Sequence, residues 1–366
     1  MEQHYIYKYS DNNWRSVPYE ITNTEYKIPK NLKVATYNIL RESHFKPMQY
    51  FEKSSTRYKY QVNSLLFNTG ADIIGLNEVT QDYLINYILT SEWIKAGYYI
   101  SSIVNSFKTN EFNLILSKFP FDYYTFNVGQ EITVGAVFTC ETNSFIVLSA
   151  HLTSGENNKK IRQKELKTLM HILGSSGNNE NENESFINAI ISGNIILMGD
   201  LNTHLVSENQ ILYSCNFVDL WIESGNQEGE GSYTFDNQDN TMNQIRNVLD
   251  NRRMRLDRIL LFRRNNLFDI REGKMMIFGN EKIYSDFSFS YLYPSDHFGL
   301  LVELELKENY SKYKIKRPEF LDFYAMEHVN LDITGFRTIR RIIIYRIIVV
   351  AVVVLILLII ILKLIL

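Results

Sequence analysis

The feature that most constrains the fold is a series of seven short apolar runs between residues 32 and 306. They read LKVATYNIL, ADIIGLNEV, FNLILSKFP, SFIVLSAHL, NIILMGDLN, RLDRILLF and FGLLVELEL. Each run is dense in Ile, Val and Leu and short enough to be a strand that is buried on both faces. Apolar residues at helical spacing predict an amphipathic helix over 160–173. Together these patterns predict a layered α/β fold.

Polar residues with chemical functions stand at the ends of these runs. Those at downstream ends are Asn38, Glu78, His151, Asp200 and Asn202, and those at upstream ends are Asp257, Asp296 and His297. In sheets of mixed strands, downstream ends of some strands and upstream ends of others lie on the same edge. A single acid or amide beside a strand is usually a turn or cap residue. Its repetition over six runs favours a shared site at one edge.

Part of this set suits a metal ion. Glu78, Asp296 and the amide oxygen of Asn38 are hard oxygen ligands, and the set contains no thiol. Such ligands favour Mg²⁺ or Mn²⁺ over Zn²⁺. An ion of this kind neutralises the charge of a phosphate group.

The rest of the set suits attack by water on phosphorus. Asp200 can orient and deprotonate a water molecule, and Asn202 can hold it. The imidazoles of His151 and His297 can donate to phosphoryl oxygens as negative charge develops in the transition state. Asp257 could fix the tautomer and orientation of His297. The predicted chemistry is hydrolysis of a phosphate ester.

Six motifs carry a resemblance to a known group of enzymes. TYNIL, LNEV, SAHL, GDLN, RLDRI and PSDHFGLL, in this order, resemble the motif series of the endonuclease/exonuclease/phosphatase superfamily. The match runs from about residue 32 to residue 306. It implies a four-layered α/β/β/α sandwich, in which two packed mixed sheets are flanked by helices, and a magnesium-dependent attack by water. The matching positions are Asn38 and Glu78 for the metal, Asp200 and Asn202 for water activation, and Asp296 and His297 for the terminal acid and the phosphate-facing imidazole.

One branch of the superfamily fits several motifs. SYTFDNQDNTMN, RLDRILLF and YPSDHFGLL most resemble the tyrosyl-DNA phosphodiesterase 2 branch, which repairs DNA by cutting a 5′-phosphotyrosyl bond to a trapped topoisomerase. The resemblance implies a nucleic acid or a protein–DNA adduct as the partner, and Arg258 as a substrate ligand. Tyr233 and Phe235 could stack on a base or a tyrosyl ring. Asn77 is a departure, because that branch has Gln before the metal-binding Glu.

Local charge bears on the nucleic-acid partner. The whole chain has a formal net charge of −3, which argues against a protein that is basic all over. The segment 252–264, RRMRLDRILLFRR, nevertheless holds six arginines around Asp257. These arginines could contact phosphates, or they could form a solvated basic edge.

Other functions stay open at this point. Neutral sphingomyelinases belong to the same superfamily and carry membrane spans, so a phospholipid is an alternative substrate. Inositol polyphosphate phosphatases are a further option with less motif support. A purely structural binding module would be expected to have lost the metal site, whereas Glu78, Asp200 and His297 are all present.

The last part of the chain predicts a membrane helix. Residues 342–362 contain one charge and as a helix would span roughly 30 Å, the thickness of a bilayer's hydrocarbon core. Arg337, Arg340 and Arg341 precede this segment and Lys363 follows it, so the positive-inside tendency keeps the N-terminal part in the cytosol. The pattern is typical of a single-pass, tail-anchored protein; it does not indicate which membrane receives the tail.

The domain organisation follows from these assignments. We expect an N-terminal extension at 1–30, a catalytic domain at 31–306, a tether at 307–341 and a transmembrane helix at 342–362. Within the domain, the Asn- and Glu-rich segment 174–194 is expected to be a polar loop. Two cysteines cannot form a disulfide scaffold, and the start of the chain lacks the apolar core of a signal peptide. The domain is therefore expected to face a reducing compartment.

Overall fold

The computed structural model describes ten stretches of the chain. They are residues 1–17, 28–41, 55–103, 110–140, 143–175, 184–204, 206–246, 250–263, 267–284 and 291–307. A first compact unit spans Met1–Tyr324, and a second, Ala325–Leu366, lies outside the described residues. The architecture below is that of the first unit.

The strands of the described residues are short and numerous. They are β1 (Glu2–His4), β2 (Ile6–Ser10), β3 (Asn13–Val17), β4 (Asn31–Asn38), β5 (Ile73–Thr80), β6 (Tyr99–Ile100), β7 (Glu111–Ser117), β8 (Asp122–Phe126), β9 (Thr133–Cys140), β10 (Asn143–Ser149), β11 (Ile195–Asp200), β12 (Phe217–Asp219), β13 (Phe235–Asp236), β14 (Arg253–Met254), β15 (Asp257–Phe262), β16 (Phe268–Phe278), β17 (Ile283–Tyr284), β18 (Tyr291–Leu292) and β19 (Gly299–Leu306).

Helices connect some of these strands. They are α1 (Ser55–Tyr60), α2 (Phe67–Thr69), α3 (Gln81–Tyr83), α4 (Glu92–Gly97), α5 (Lys159–Ser175), α6 (Glu184–Ile191), α7 (Val206–Ser214), α8 (Leu220–Glu223) and α9 (Thr241–Arg246). Two π-helical segments, Gln61–Leu66 and Leu84–Ile88, and a 3₁₀ turn, Glu156–Asn158, adjoin them.

Two mixed sheets form the centre of the fold. The first has the strand order β1-β8-β9-β10-β11-β15-β12, and the second has the order β16-β19-β4-β5-β7-β6-β2-β3. In each sheet one central pair is parallel, β10 with β11 and β4 with β5, while the other pairs are antiparallel. Downstream ends of some strands therefore lie beside upstream ends of others.

The core lies in three apolar layers. The layer between the sheets contains side chains from both, including Val34, Ile73, Val147 and Ile196. A second layer joins the first sheet to helices α5 to α7, and a third joins the second sheet to α1 and the helical segments around it. These layers give two mixed sheets flanked by helices, which agrees with the fold that the family resemblance implies.

The strand and helix predictions are confirmed over the seven apolar runs. They form β4, β5, β7, β10, β11, β15 and β19, and the helix expected at 160–173 is α5. Residues 2–17, within the segment expected to be an extension, form β1 at an edge of the first sheet and the β2–β3 hairpin at an edge of the second.

Part of the segment expected to be a polar loop is a helix. Within 174–194, Glu184–Ile191 forms α6, and Phe186, Ala189 and Ile190 are buried against the first sheet. Their spacing of three and four residues places them on one face of a helix. Residues 176–183 lie outside the described residues. The loop prediction was wrong for 184–191 because the average polarity of the segment hid this short apolar face.

The predicted transmembrane helix at 342–362 and most of the tether at 307–341 lie outside the described residues. Among the helices that are described, none is long and apolar enough to cross a membrane.

Gly199 allows the close approach of β10 and β11 next to the strand end that carries Asp200. Its φ is +130°, and a Cβ atom there would lie 2.0 Å from the carbonyl oxygen of Ala150. We expect Gly199→Ala to destabilise the protein by more than about 4 kcal/mol, because neither backbone segment can move freely. Chemical denaturation measures this loss.

Gly97 provides the matched control for that prediction. It lies at the end of α4, and a Cβ there would have no atom within 4 Å. Gly97→Ala is expected to leave stability unchanged or to raise it by roughly 0.4–1 kcal/mol. Equal unfolding midpoints for Gly199→Ala and the wild type would contradict the steric argument.

Candidate active site

Asp200 lies at the centre of the candidate site. It ends β11, is 1% exposed, and stands opposite Asp257 in the antiparallel register of β11 and β15. Its backbone N–H donates to the Asn77 side-chain oxygen (3.0 Å), which joins the two sheets at this point. Asn38 donates its amide to Asp200 Oδ2 (3.1 Å), and Asn202 donates its backbone N–H to Asp200 Oδ1 (3.0 Å). The carboxylate is therefore held by both sheets.

Two histidines flank this carboxylate, and each has its own buried acid. His297 Nδ1 lies 2.7 Å from Asp257 Oδ2, and His151 Nδ1 lies 2.7 Å from Glu131 Oε1. Because an ionised carboxylate only accepts hydrogen bonds, each Nδ1 carries a proton. The two Nε2 atoms face Asp200 Oδ2 at 3.6 Å for His297 and 3.5 Å for His151. The arrangement is two acid–histidine pairs that converge on one carboxylate.

The surrounding carboxylates raise the pKa of both histidines. Burial by itself lowers the pKa of His151, but Glu131 and then Asp200 outweigh it and raise the pKa to about 10. Burial likewise opposes ionisation of His297, whose pKa Asp257 and Asp200 raise well above its ordinary value. Both imidazoles can therefore carry a proton toward a ligand in this part of the site.

Glu78 occupies a strained position close to Asp200. It lies in β5 at an irregularity between Leu76 and Val79, and its φ is +59°. A left-handed backbone costs a residue other than glycine roughly 1–2 kcal/mol. Asn38 donates to Glu78 Oε1 (3.1 Å) as well as to Asp200, so one amide group bridges the two carboxylates. This strain turns a strand residue out of the alternating pattern and toward the site.

A cavity of about 520 Å³ opens onto these groups. Its lining includes Glu78, His151, Asp200, Asn202, Asp296, His297, Phe235, Asp250, Arg41 and Arg252. Asn38 and Asp257 reach the site through hydrogen bonds to these lining residues. The structure thus brings together all eight polar strand-end residues that the sequence singles out. Their individual chemical roles stay predictions.

The loop that carries Asp296 and His297 is bound to the end of β4. Ser295 Oγ donates to the Asn38 carbonyl (2.7 Å) and accepts from the His297 backbone N–H (3.2 Å). Buried Arg57 donates to the carbonyls of both Ile39 and Pro294 (2.9 Å each). These contacts hold Asp296 and His297 beside the metal-site candidates of the second sheet.

Asn202 is positioned by its backbone as well as its amide group. Its φ is +50°, and Nδ2 donates to the Leu152 carbonyl (3.0 Å). The side chain therefore lines the cavity in one fixed orientation. In contrast, both ring nitrogens of His204, which also lines the cavity, are shielded from solvent and have no hydrogen-bond partner among the described residues. Burial, with the charges of Arg162 and Arg252, lowers the pKa of His204.

Two candidate sets of metal ligands are present. In the hard-oxygen set predicted from the sequence, Glu78 and Asp296 line one cavity and Asn38 contacts Glu78. The Asn38 side-chain oxygen accepts from the Leu40 backbone N–H (3.1 Å) and has a second lone pair for a cation. The other set is Asp200, Asp257 and His297, whose ligand atoms lie within 4.8 Å of one another. In both sets a carboxylate already has a partner: Asp257 Oδ2 lies 2.7 Å from His297 Nδ1, and Glu78 accepts from Asn38 and from the Arg41 backbone N–H (2.8 Å).

Arg258 does not line the cavity. It is 3% exposed; its Nη1 donates to Asp219 (2.6 Å) and its Nη2 to the Arg255 carbonyl (3.1 Å). Successive residues of a strand face opposite sides, so Asp257 faces the site while Arg258 faces away from it. The expected role of Arg258 as a substrate ligand does not fit this position.

Most of the arginine cluster is likewise occupied by acids. Arg255 binds Asp219 through two nitrogens and also pairs with Glu228. Arg253 pairs with Asp236 and Glu230. Arg252, which pairs with Asp250, is the member of the described cluster that lines the cavity. Arg264 lies outside the described residues.

The two aromatic candidates differ in position. Phe235 lines the cavity, pairs by a β-bridge with His297, and its ring lies 5.3 Å from the imidazole. Tyr233 does not line the cavity; the Arg253 guanidinium lies over its ring at 4.6 Å. Phe235 is therefore placed to meet a ligand, and Tyr233 is not.

Sequence reasoning missed several residues of the site. Glu131 orients His151, and Asn77 joins Asp200 to the second sheet. Thr234 accepts from the backbone N–H groups of Leu256 and Asp257 (3.0 Å each). Glu131 precedes β9 by two residues. The search for acids at strand ends would have found it if the sequence had predicted β9.

The buried ion pairs of Asp219 allow a stability prediction. Asp219→Asn leaves the buried guanidiniums of Arg255 and Arg258 with one carboxylate fewer, and we expect a loss of about 3–5 kcal/mol at pH 7. Burial raises the pKa of Asp219, but the two arginines outweigh it and hold the pKa below its ordinary value. The contribution of the ionised form is therefore present above about pH 4 and is lost as pH falls below that value.

Urea unfolding at pH 7 and at pH 3 tests this prediction. The difference in stability between wild type and Asp219→Asn should shrink at the lower pH. Asp269→Asn is the matched control, since Asp269 pairs with Lys307 at the surface and its side chain is 64% exposed. Its expected effect is at most about 1 kcal/mol. An Asp219 variant as stable as this control would contradict the role of the buried pairs.

The fold and site together define a class of protein. Two mixed sheets flanked by helices, with two acid–histidine pairs around one carboxylate, are an arrangement suited to hydrolysis of phosphate esters. Residues 35–297 match the Endonuclease/Exonuclease/phosphatase family, and the chain belongs to that family. Members of the family are hydrolases that act on phosphoester bonds.

Solved structures share the fold. Truncated TDP2 from Caenorhabditis elegans has a TM-score of 0.53 and 18% identity, over 75% of this chain and 97% of that one. D. rerio TDP2, solved with a single-strand DNA product, has a TM-score of 0.54 and 18% identity, over 76% of this chain and 100% of that one. The human nocturnin catalytic domain, solved with a bound sulfate anion, has a TM-score of 0.50 and 15% identity, over 76% and 94%. The comparison with curated proteins yields no match.

Proposed function

We propose that this protein is a Mg²⁺-dependent phosphodiesterase that hydrolyses a phosphate ester in nucleic acid by attack of water. The observation that carries the proposal is the position of Asp200 between the Nε2 atoms of His151 and His297, in a cavity that Glu78 also lines. This arrangement supports a carboxylate that accepts the proton of water and two imidazoles that stabilise the phosphoryl oxygens.

The charge of the cavity supports a divalent cation. Among its described lining residues are the carboxylates Glu78, Asp200, Asp250 and Asp296 and the guanidiniums Arg41 and Arg252. A phosphate placed beside Glu78, Asp200 and Asp296 would be repelled by these carboxylates without a cation. We propose that Glu78, Asn38 and Asp296 hold Mg²⁺, and that Mn²⁺ can replace it. When bound, the ion would polarise the phosphoryl group and neutralise its charge.

The side chains of the site then have separate roles in the proposed reaction. Asp200 takes the proton from water that Asn202 holds, since Asn202 has a fixed orientation beside it. His297 and His151 donate Nε2–H to the phosphoryl oxygens. Asp257 and Glu131 keep each ring in the tautomer and orientation that this donation requires.

Nucleic acid is the substrate class that the features support best. Phe235 lies at the cavity beside His297, where a base or a tyrosyl ring could stack on it. Arg252 and Arg41 line the same cavity, where they pair with Asp250 and Glu111, and can exchange these partners for neighbouring phosphates. The related fold of D. rerio TDP2, solved with single-strand DNA product, is consistent with this choice. The motif likeness to the tyrosyl-DNA branch makes a 5′-tyrosyl end the first ester to test.

We also propose that residues 342–362 anchor the protein in a membrane with the catalytic domain in the cytosol. The support is the length and apolar character of this segment and the arginines before it. Fractionation of cells that express the full chain, followed by protease treatment of intact membranes, tests this arrangement. Recovery of the chain in the soluble fraction would contradict it.

A parallel assay tests the proposed activity. The full chain in detergent is given Mg²⁺ and, separately, a 5′-tyrosyl oligonucleotide, an unmodified single-stranded oligonucleotide, sphingomyelin and a soluble inositol polyphosphate. We expect hydrolysis of an oligonucleotide substrate that EDTA abolishes and Mg²⁺ restores. Preferential cleavage of sphingomyelin or of the inositol phosphate would overturn the nucleic-acid assignment. Turnover that is unaffected by EDTA would overturn the metal assignment.

A further inference from the structure

Arg258 is bound on three sides within the first sheet. Its Nη1 donates to Asp219, its Nη2 to the Arg255 carbonyl, and its Nε to Thr203 Oγ1 (3.0 Å). Arg258, Asp219 and Thr203 are each at most 4% exposed. Because the guanidinium is planar and rigid, the first two contacts fix the direction in which Nε points. The Thr203 hydroxyl therefore binds a donor, Arg258 Nε, whose position in the sheet is fixed.

Thr203 follows directly after Asn202, whose backbone is strained. The φ of +50° at Asn202 is an unfavourable conformation that persists only where its surroundings determine it. On the upstream side, the Leu201 N–H donates to the Leu256 carbonyl (3.1 Å). On the downstream side, the described contact that fixes the Thr203 side chain is the one with Arg258.

The ion pairs that Arg258 forms with its neighbours hold the Arg258 guanidinium, and so its hydrogen bond to Thr203, in one place. Asp219 accepts from Arg255 at Oδ1 (3.0 Å) and Oδ2 (2.8 Å), and it caps helix α8 by accepting the Trp221 N–H (3.1 Å). Glu228 supplies the second negative charge, so two arginines are balanced by two acids. Arg255, Arg258 and Asp219 are buried, while the Glu228 side chain is 46% exposed. The buried, paired part of the network favours one arrangement of its members.

We infer that Arg258 is a positioning residue, which acts through Thr203 to hold the side chain of Asn202 in its reactive orientation beside Asp200. Strand β15 then serves the site from both faces. Asp257 orients His297 on one face, and Arg258 anchors the loop after β11 on the other. The role in turnover rests on the proposed function, whereas the anchoring itself does not.

Substitution of Thr203 tests the inference without breaking the ionic network. Thr203→Val keeps the shape but removes the acceptor, and Thr203→Ser keeps the acceptor. Thr203→Val is expected to lower kcat about tenfold and to change KM less than about twofold, while Thr203→Ser stays within about twofold of wild type. Equal kcat for the Val and Ser variants would overturn the inference.

A double-mutant cycle separates positioning from general destabilisation. In an Asn202→Ala background, Thr203→Val should change kcat by less than about twofold, because the residue through which it acts is gone. Thr69→Val is the matched control, since the hydroxyl of buried Thr69 also accepts a hydrogen bond, here from the Ala71 backbone N–H, and Thr69 precedes the upstream end of β5 whereas the site lies near its downstream end. This control should leave kcat unchanged. Additive effects of the Asn202 and Thr203 variants would contradict the inference.

Hydrogen exchange tests the anchor independently of any activity. The Asn202 N–H donates to Asp200 Oδ1 and should exchange about tenfold faster in Thr203→Val than in wild type, with Thr203→Ser close to wild type. Unchanged exchange would overturn the inference even if the wild type hydrolyses its substrate. Faster exchange in a protein that hydrolyses none of the tested esters would instead support the anchor and contradict the proposed function.

Discussion

Asp200→Asn is expected to lower kcat by about 10²–10⁴-fold, the usual contribution of a general base. The substitution keeps the size of a side chain that is 1% exposed, so the fold should persist. It removes the negative charge between His151 and His297 and the group that accepts a proton from water. Single-turnover kinetics at saturating substrate measures the loss, because this method separates chemistry from product release.

Asp269→Asn is the control for this prediction. Asp269 lies on β16 at the surface and carries the same change of carboxylate to amide. It should turn over substrate at the wild-type rate. If Asp200→Asn kept a rate close to that of this control, Asp200 would not be the base, and the assignment of water activation to the end of β11 would fail.

Glu78→Gln is expected to lower kcat at saturating Mg²⁺ about 10³-fold, which corresponds to about 4 kcal/mol of lost transition-state stabilisation. The charge of Glu78 is the reason, since a neutral amide holds a divalent cation far more weakly than a carboxylate does. Isothermal titration with Mg²⁺ should show weaker binding to the variant in the absence of substrate.

Glu303→Gln provides the corresponding control, because Glu303 lies in β19 and pairs with Lys274. It should bind Mg²⁺ as the wild type does. Normal Mg²⁺ binding by Glu78→Gln would point instead to Asp200, Asp257 and His297 as the ligands. The two sets of candidate ligands are thus distinguished by one titration.

The sequence predicted those parts of the site that adjoin long apolar strands. Asp200 ends β11, His151 comes two residues after β10, and Asp257 begins β15, so the strand pattern marked their positions. Pairing of β11 with β15 in antiparallel register brings Asp200 opposite Asp257. The pairing of these two strands depends on the tertiary structure. The sequence alone indicated only that strand ends carrying Asp200 and Asp257 could lie on the same edge of a sheet.

The sequence predicted which residues stand at strand ends better than it predicted the direction in which their side chains point. Arg258 was assigned to the substrate through the resemblance of RLDRILLF to one branch of the family, yet strand alternation turns its side chain into a buried ionic network. Its partner Asp219 is distant in sequence and ends the short strand β12. Short strands bury few side chains, so the apolar patterns of β12 and β13 are weak.

The helix at 184–191 shows another limit of sequence reasoning. Its buried face consists of Phe186, Ala189 and Ile190 and occupies little more than one turn. Composition averaged over the surrounding Asn- and Glu-rich segment outweighs so short a signal. Packing against the first sheet stabilises this helix, because isolated helices of this length are marginal in water.

The hydrogen bond from Ser295 Oγ to the Asn38 carbonyl joins residues 257 positions apart in the chain. Closing so long a loop is entropically costly and slow, so contacts of this kind form late in folding. The reactive groups therefore assemble only after both sheets have met, and partly folded chains would be inert. Recovery of turnover during refolding would then report completion of the whole domain.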